Sequence, residues 1–126
     1  MGTLVAEQNV RPDEAKSESR LMEADDERLL LCAKCGHGIA SPGARFEQAG
    51  KLVHTCVNPS GIVFTLGCFR DAPGCAILEP PSFEFSWFSG YAWRIALCAN
   101  CGEHLGWRFD GKVDGFYGLI LAKLVE

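Results

Sequence analysis

Two copies of one short sequence constrain this chain more than any other feature of it. Cys32-Ala33-Lys34-Cys35-Gly36 and Cys98-Ala99-Asn100-Cys101-Gly102 agree at four of five positions. Two residues between cysteines let both thiolates reach one ion from a tight turn, and the glycine that follows allows the positive φ such a turn often needs. Two such knuckles complete a closed, tetrahedral four-thiolate site with no open coordination position, which is the chemistry of structural rather than catalytic zinc. Because 62 residues separate Cys35 from Cys98, one Zn2+ would pin the start of the folded unit to a point near its end. Structural zinc carries roughly 10–16 kcal/mol of apparent binding free energy, comparable with the whole stability of a small domain.

A thioredoxin-like redox pair or two disulfides are the rival readings of a C-x-x-C motif, and the doubling argues against both. Seven cysteines is an odd number for a complete disulfide framework. With no basic region followed by an apolar stretch near Met1, the expectation is a reduced, cytoplasmic protein. Cys56, Cys68 and Cys75 lack knuckle partners and read as small buried or half-buried hydrophobes. With four thiolates on hand, none of His37, His54 and His104 is expected to be a metal ligand.

The charge is unevenly placed. Residues 1–28 hold eight acids and four bases, which accounts for the whole net charge of −4, and all 13 aromatic residues lie at or after Phe46. A segment that poor in large apolar groups cannot offset its ordering entropy, so residues 1–27 read as an acidic, disordered tail and residues 28–126 as the folded domain. A short helix across Glu18–Leu30 is the alternative for part of the tail. The acidic balance argues against binding a nucleic-acid polymer, and no apolar run approaches the roughly 20 residues of a membrane span.

Within the domain the signals are those of short strands. Leu52 to Val57 is rich in β-branched residues, Asn58-Pro59-Ser60-Gly61 is turn chemistry, and Ile62 to Leu66 follows as a second strand. Phe83, Phe85 and Trp87 alternate along one face, as do Trp93, Ile95 and Leu97. Leu105 to Phe109 closes at Asp110-Gly111, and Phe116 to Leu121 supplies a last strand. The expected fold is mainly β, small antiparallel sheets clamped by zinc. Six of the eleven residues from Phe83 to Trp93 are aromatic. A hairpin on the second knuckle would bring Trp93 beside Trp107, and a turn at Ser89-Gly90 would fold Trp87 toward them. Three indoles then wall one concavity, unless all three are simply core.

These residues resemble a known family. Phe85-Ser86-Trp87-Phe88-x-Gly90-Tyr91-x-Trp93, then Cys98-x-x-Cys101, then His104-Leu105-Gly106-Trp107, is similar to the ligand-binding CULT domain of cereblon. Cys32-x-x-Cys35, Asn58-Pro59-x-Gly61 and Phe116-Tyr117-Gly118-Leu119 fall in the family order, so the resemblance covers about residues 30–121. It implies a zinc-stapled β-tent of two antiparallel sheets. It also implies a cage for thalidomide-type glutarimides, uridine and related cyclic imides, including imide ends of damaged proteins. By matching position Trp87, Trp93 and Trp107 would be the walls and Phe109 would close the cage. Asn58 and Pro59 would border the mouth, and the Phe85-Ser86-Trp87 segment would supply main-chain hydrogen bonds. Cereblon also carries a protease-like domain and a helical segment that docks a ubiquitin-ligase adaptor. Neither fits in 28 residues, so the likeness is to stand-alone, bacterial-type versions, and an adaptor partner is not expected.

The chemistry of such a cage is sound on its own terms. A cyclic imide presents acceptor, donor and acceptor in one plane, which an exposed strand can match with its own N–H and C=O groups. Aromatic walls exclude water and strengthen those bonds. A quaternary ammonium is the rival guest for an aromatic cage. It would gain from a carboxylate, but Glu84 is expected on the face opposite Phe85 and Trp87. An enzyme is the second reading, since zinc-bearing methionine sulfoxide reductases also carry two C-x-x-C knuckles. Their nucleophilic cysteine lies beyond the second knuckle, where this chain has none. A purely structural or protein-interaction module is the third. The expectation is a binding protein without chemistry.

Overall fold

The computed structural model describes residues 28–126. The acidic segment 1–27, with most of the helix considered across Glu18–Leu30, lies outside the described residues, and Leu30 itself opens a strand. Nine strands follow in chain order: β1 (Leu30–Cys32), β2 (Gly38–Ala40), β3 (Val53–Val57), β4 (Val63–Phe69), β5 (Cys75–Ile77), β6 (Ala92–Cys98), β7 (His104–Asp110), β8 (Gly115–Ile120) and β9 (Leu124–Val125). They form two antiparallel sheets, one of six strands in the order β3-β4-β8-β7-β6-β5 and one of three in the order β2-β1-β9. Among the described residues there is no α-helix, and so none long and apolar enough to cross a membrane. The mainly β architecture and the two sheets are as the strand signals predict.

The period of two along each strand sorts side chains to opposite faces of the large sheet. Leu66 and Cys68 of β4, Trp107 and Phe109 of β7, and Phe116 and Ile120 of β8 meet on one face, in a cluster with Cys56 and Phe88. Phe69 and Leu119 meet on the other, where Leu30, Ile39 and Ala40 of the small sheet pack against them with Cys32 and Cys98. Gly74 sits where the two sheets approach. Its N–H donates to the Ile39 carbonyl (2.9 Å), its carbonyl accepts from Ala99 N–H (2.9 Å), and a Cβ there would collide with the main chain of Gly38 and Ile39.

Three sequence expectations need correction. Phe83 to Ser89 is not a strand but an irregular loop, so Phe83, Phe85 and Trp87 share no pleated face. Phe85 lies at φ 58°, a left-handed conformation that β alternation cannot contain. Local side-chain bonds outcompete the strand: Ser82 Oγ accepts from Glu84 N–H (3.0 Å) and Ser86 Oγ donates to the Phe88 carbonyl (3.1 Å). Phe116 to Leu121 is not the last strand, because Leu121–Lys123 turns in a 3-10 helix and β9 adds to the edge of β1. The strand after the Asn58 turn runs on to Phe69, three residues past Leu66.

Candidate functional site

Each knuckle is built by the same main-chain bonds. Cys32 N–H donates to the His37 carbonyl and Gly36 N–H to the Cys32 carbonyl, both at 2.8 Å. Cys98 N–H donates to the Glu103 carbonyl (2.8 Å) and Gly102 N–H to the Cys98 carbonyl (2.9 Å). Gly36 and Gly102 lie at φ 82° and 81°, where a Cβ would be strained. The packing of the small sheet on the large one brings the turns together, and the four sulfurs of Cys32, Cys35, Cys98 and Cys101 all lie within 4.8 Å of one another. The short edges cross between knuckles: Cys32 Sγ to Cys101 Sγ is 3.7 Å and Cys35 Sγ to Cys98 Sγ is 3.6 Å. Such a donor set can hold a metal ion. Glu103 ties the assembly from outside, pairing with Lys123 and, at 3.5 Å, with Lys34 of the other knuckle.

The other face of the large sheet opens on a cavity of about 520 Å3, lined by Asn58, Pro59, Phe64, Glu84, Phe85, Trp87, Trp93, Ile95, His104, Trp107 and Phe109. All three tryptophans are there. Trp87 and Trp107 meet edge to face with centroids 4.8 Å apart, and Phe64 closes on Trp107 at 5.2 Å. Phe109 is almost wholly buried beneath them, between Phe88 and Phe116. Two indole N–H groups are committed to main chain: Trp87 Nε1 donates to the Val57 carbonyl (2.9 Å) and Trp93 Nε1 to the Glu84 carbonyl (2.7 Å). These bonds fix the ring planes and join the 82–91 loop to the β3–β4 turn. Asn58 holds that turn, its Oδ1 accepting from Ile62 N–H (2.8 Å) and its carbonyl from Gly61 N–H (2.9 Å). A double bridge between Ser82 and Trp93 (3.0 and 2.8 Å) anchors the start of the loop to β6.

Most of the residues expected around a cage thus line one cavity, and Ser86 is the exception. Its hydroxyl is spent on Phe88, where it shapes the loop. Glu84, which a regular strand would place on the opposite face, is in the lining, and its main-chain carbonyl accepts from Trp93 Nε1 there.

Sequence reasoning missed Phe64, Ile95 and His104. Ile95 follows Trp93 at a spacing of two, so that signal was present. His104 had none, because it lies three positions before Trp107 and a regular strand would put them on opposite faces. The β6–β7 register shifts between Ala96 and Leu97, whose partners are Gly106 and His104, so Leu105 is an extra residue. Leu105 drops into the other cluster, and His104 meets Trp107 edge to face at 4.8 Å. His104 Nε2 lies 3.0 Å from the Gly106 carbonyl, which can only accept, so the proton is on Nε2. Burial lowers the pKa of His104 and favours the neutral ring.

Cys56, Cys68 and Cys75 are not in the cavity lining. Burial raises all three thiols, Cys68 to about 11 and Cys75 to about 12.

No protein-family model matches the chain. Individual proteins do. The chain is 36% identical over 102 residues, 75% of its length, to protein cereblon of Drosophila simulans. It is 39% identical over 74 residues to protein cereblon of Gallus gallus and 40% identical over 73 residues to that of Xenopus tropicalis, 55% and 54% of its length. The matches take up 16–17% of those relatives, so the chain spans about a sixth of their length. Two antiparallel sheets, a four-cysteine cluster joining their ends and this likeness together identify the described part of the chain as a cereblon-like CULT domain.

Proposed function

We propose that this domain is a small-molecule binding module that holds a flat cyclic imide or uracil-like ring between Trp87, Trp93 and Trp107, and performs no chemistry on it. One observation carries the reading. Two of the three indoles have their N–H groups tied to main chain while their rings line a cavity of about 520 Å3. That volume lies in the usual range for small-molecule sites, roughly 300–1,000 Å3. Walls fixed in this way offer faces, not donors, to a guest, so polar recognition falls to the main chain of the loop around Phe85. Holding a bulky residue at φ 58° costs on the order of 1–3 kcal/mol, and such strain concentrates at ligand sites.

The ion at the four cysteines is zinc in this reading, and its role is structural. Tetrahedral ligands about 2.3 Å from zinc stand about 3.8 Å apart. The cross-knuckle edges of 3.7 and 3.6 Å suit that geometry, and an all-thiolate set suits the metal. An enzyme of the sulfoxide-reductase kind needs a reactive thiol at the cavity. The raised thiols of Cys68 and Cys75, away from its lining, support binding without catalysis. A cytoplasmic setting fits seven free cysteines. No adaptor partner is proposed.

The test is tryptophan emission on titration with uridine, a glutarimide and its N-methyl derivative. Both parents should quench or shift emission, and N-methylation should abolish the effect by removing the only donor on the imide edge. A second reading, a quaternary ammonium, has Glu84 in its favour. If the N-methyl compound binds as well as its parent, or a tetraalkylammonium binds better, imide recognition is wrong.

A further inference from the structure

The outer edge of β3 is the longest sheet edge among the described residues, and nothing in its sequence guards it. β3 carries Val53-His54-Thr55-Cys56-Val57, with no Lys, no Pro and no register shift against β4. The opposite edge, β5, is three residues long and is followed by Pro80-Pro81.

The ladder says which groups are free. Leu52 carbonyl accepts from Cys68 N–H (3.1 Å) and Asn58 N–H donates to the Ile62 carbonyl (3.0 Å), so both ends of β3 bond inward. Antiparallel pairing alternates, so His54 and Cys56 bond to β4 while the N–H and C=O of Val53, Thr55 and Val57 face away from it. The same three residues are exposed, and across β4 Val63 and Thr65 are exposed beside them, giving an uncharged, β-branched surface.

That edge leads to the cavity. The Val57 carbonyl, last acceptor on the edge, is held by Trp87 Nε1 of the cavity wall, and Asn58 and Pro59 continue from β3 into the lining. We propose that the outer edge of β3 is a docking strand for an extended, uncharged peptide that runs parallel to β3 and delivers a C-terminal cyclic imide to the tryptophan cavity. This rests on the imide reading above and adds the chain behind the ring. Main-chain bonds at Val53 and Thr55 would supply affinity, and β-branched side chains at alternate peptide positions would lie on the exposed Val and Thr surface.

Two probes separate the parts: acetyl-aminoglutarimide, and acetyl-Thr-Val-Thr-Val joined to aminoglutarimide, titrated into the full chain. The peptide should bind at least about tenfold more tightly. Thr55→Pro deletes one outward N–H without touching the β3–β4 ladder. It should erase the gain and leave the short imide unchanged, whereas Thr55→Val should leave both unchanged. If Thr55→Pro impairs folding, seen as lost binding of the short imide, a peptide N-methylated at the residues facing β3 replaces it and should likewise lose the gain. Equal binding of the two probes overturns the docking strand and leaves the cavity reading standing. Failure of both probes overturns the cavity reading itself. A dimer in sedimentation that Thr55→Pro dissociates, with no peptide gain, gives the edge to a second copy and also overturns the proposal.

Discussion

The three tryptophans have different duties, and single substitutions should separate them. Trp93 is half-buried, packs at the margin of the aromatic cluster and donates its indole N–H to the Glu84 carbonyl. Trp107 is 9% exposed and packs against Phe64, Trp87 and His104. Trp93→Ala is therefore expected to cost about 1–3 kcal/mol of imide affinity with a smaller fall in melting temperature than Trp107→Ala. Trp107→Ala should lose affinity and also roughly 3–5 kcal/mol of stability, because it leaves a hole in the aromatic cluster. Calorimetric binding and thermal melts on the same samples check both. Trp93→Ala that binds like the parent would remove it from the cage.

At the scale of the element, the β7–β8 pair shows how closely main chains must approach for the cavity to exist. A Cβ on Gly106 would collide with the Gly118 carbonyl oxygen and the Leu119 Cα, both main-chain atoms of β8. No side chain can rotate to make room, so Gly106→Ala must part the strands. The expected loss is about 1–3 kcal/mol or more, which lowers the melting temperature by at least roughly 4–8 °C for a domain of this size. Gly106 adjoins Trp107 and its carbonyl holds His104, so imide affinity should fall too. A Gly106→Ala protein that melts with the parent would show that the bulge is more compliant than its contacts require.

For the whole molecule, the metal is expected to decide whether the domain folds. The four cysteines join β1 to the end of β6, and beyond that clamp the small sheet is held to the large one by the buried cluster of Leu30, Ile39 and Ala40 with Phe69 and Leu119, by the Gly74 bonds and by the Glu103 ion pairs. One equivalent of zinc per chain is predicted. Cys98→Ser, or a strong chelator, should collapse the near-ultraviolet signal of the aromatic cluster and aggregate the protein. Folded, freshly purified protein with under half an equivalent of zinc would sink this prediction.

The knuckles, the strand-rich character of the domain and the convergence of the three tryptophans were legible in the linear chain because each rests largely on local rules. Two cysteines two residues apart with a glycine after them make a turn wherever they fall, and alternation marks a strand from its own few residues. What the sequence could not determine depends on contacts between distant segments. The 82–91 loop looks like a strand by its alternation, but Ser82, Ser86 and the Glu84 carbonyl bind it into an irregular shape against β6. His104 joins the cavity only because Leu105 bulges out of register with β6. Ser86 leaves the cavity, and Glu84 enters it, for the same reason. The pairing of β3, β4 and the Trp87 indole likewise decides which main-chain groups stay free. Periodicity reports which face a side chain takes on a regular element; only tertiary structure says where the element stops being regular, and in this domain that is where the cavity lies.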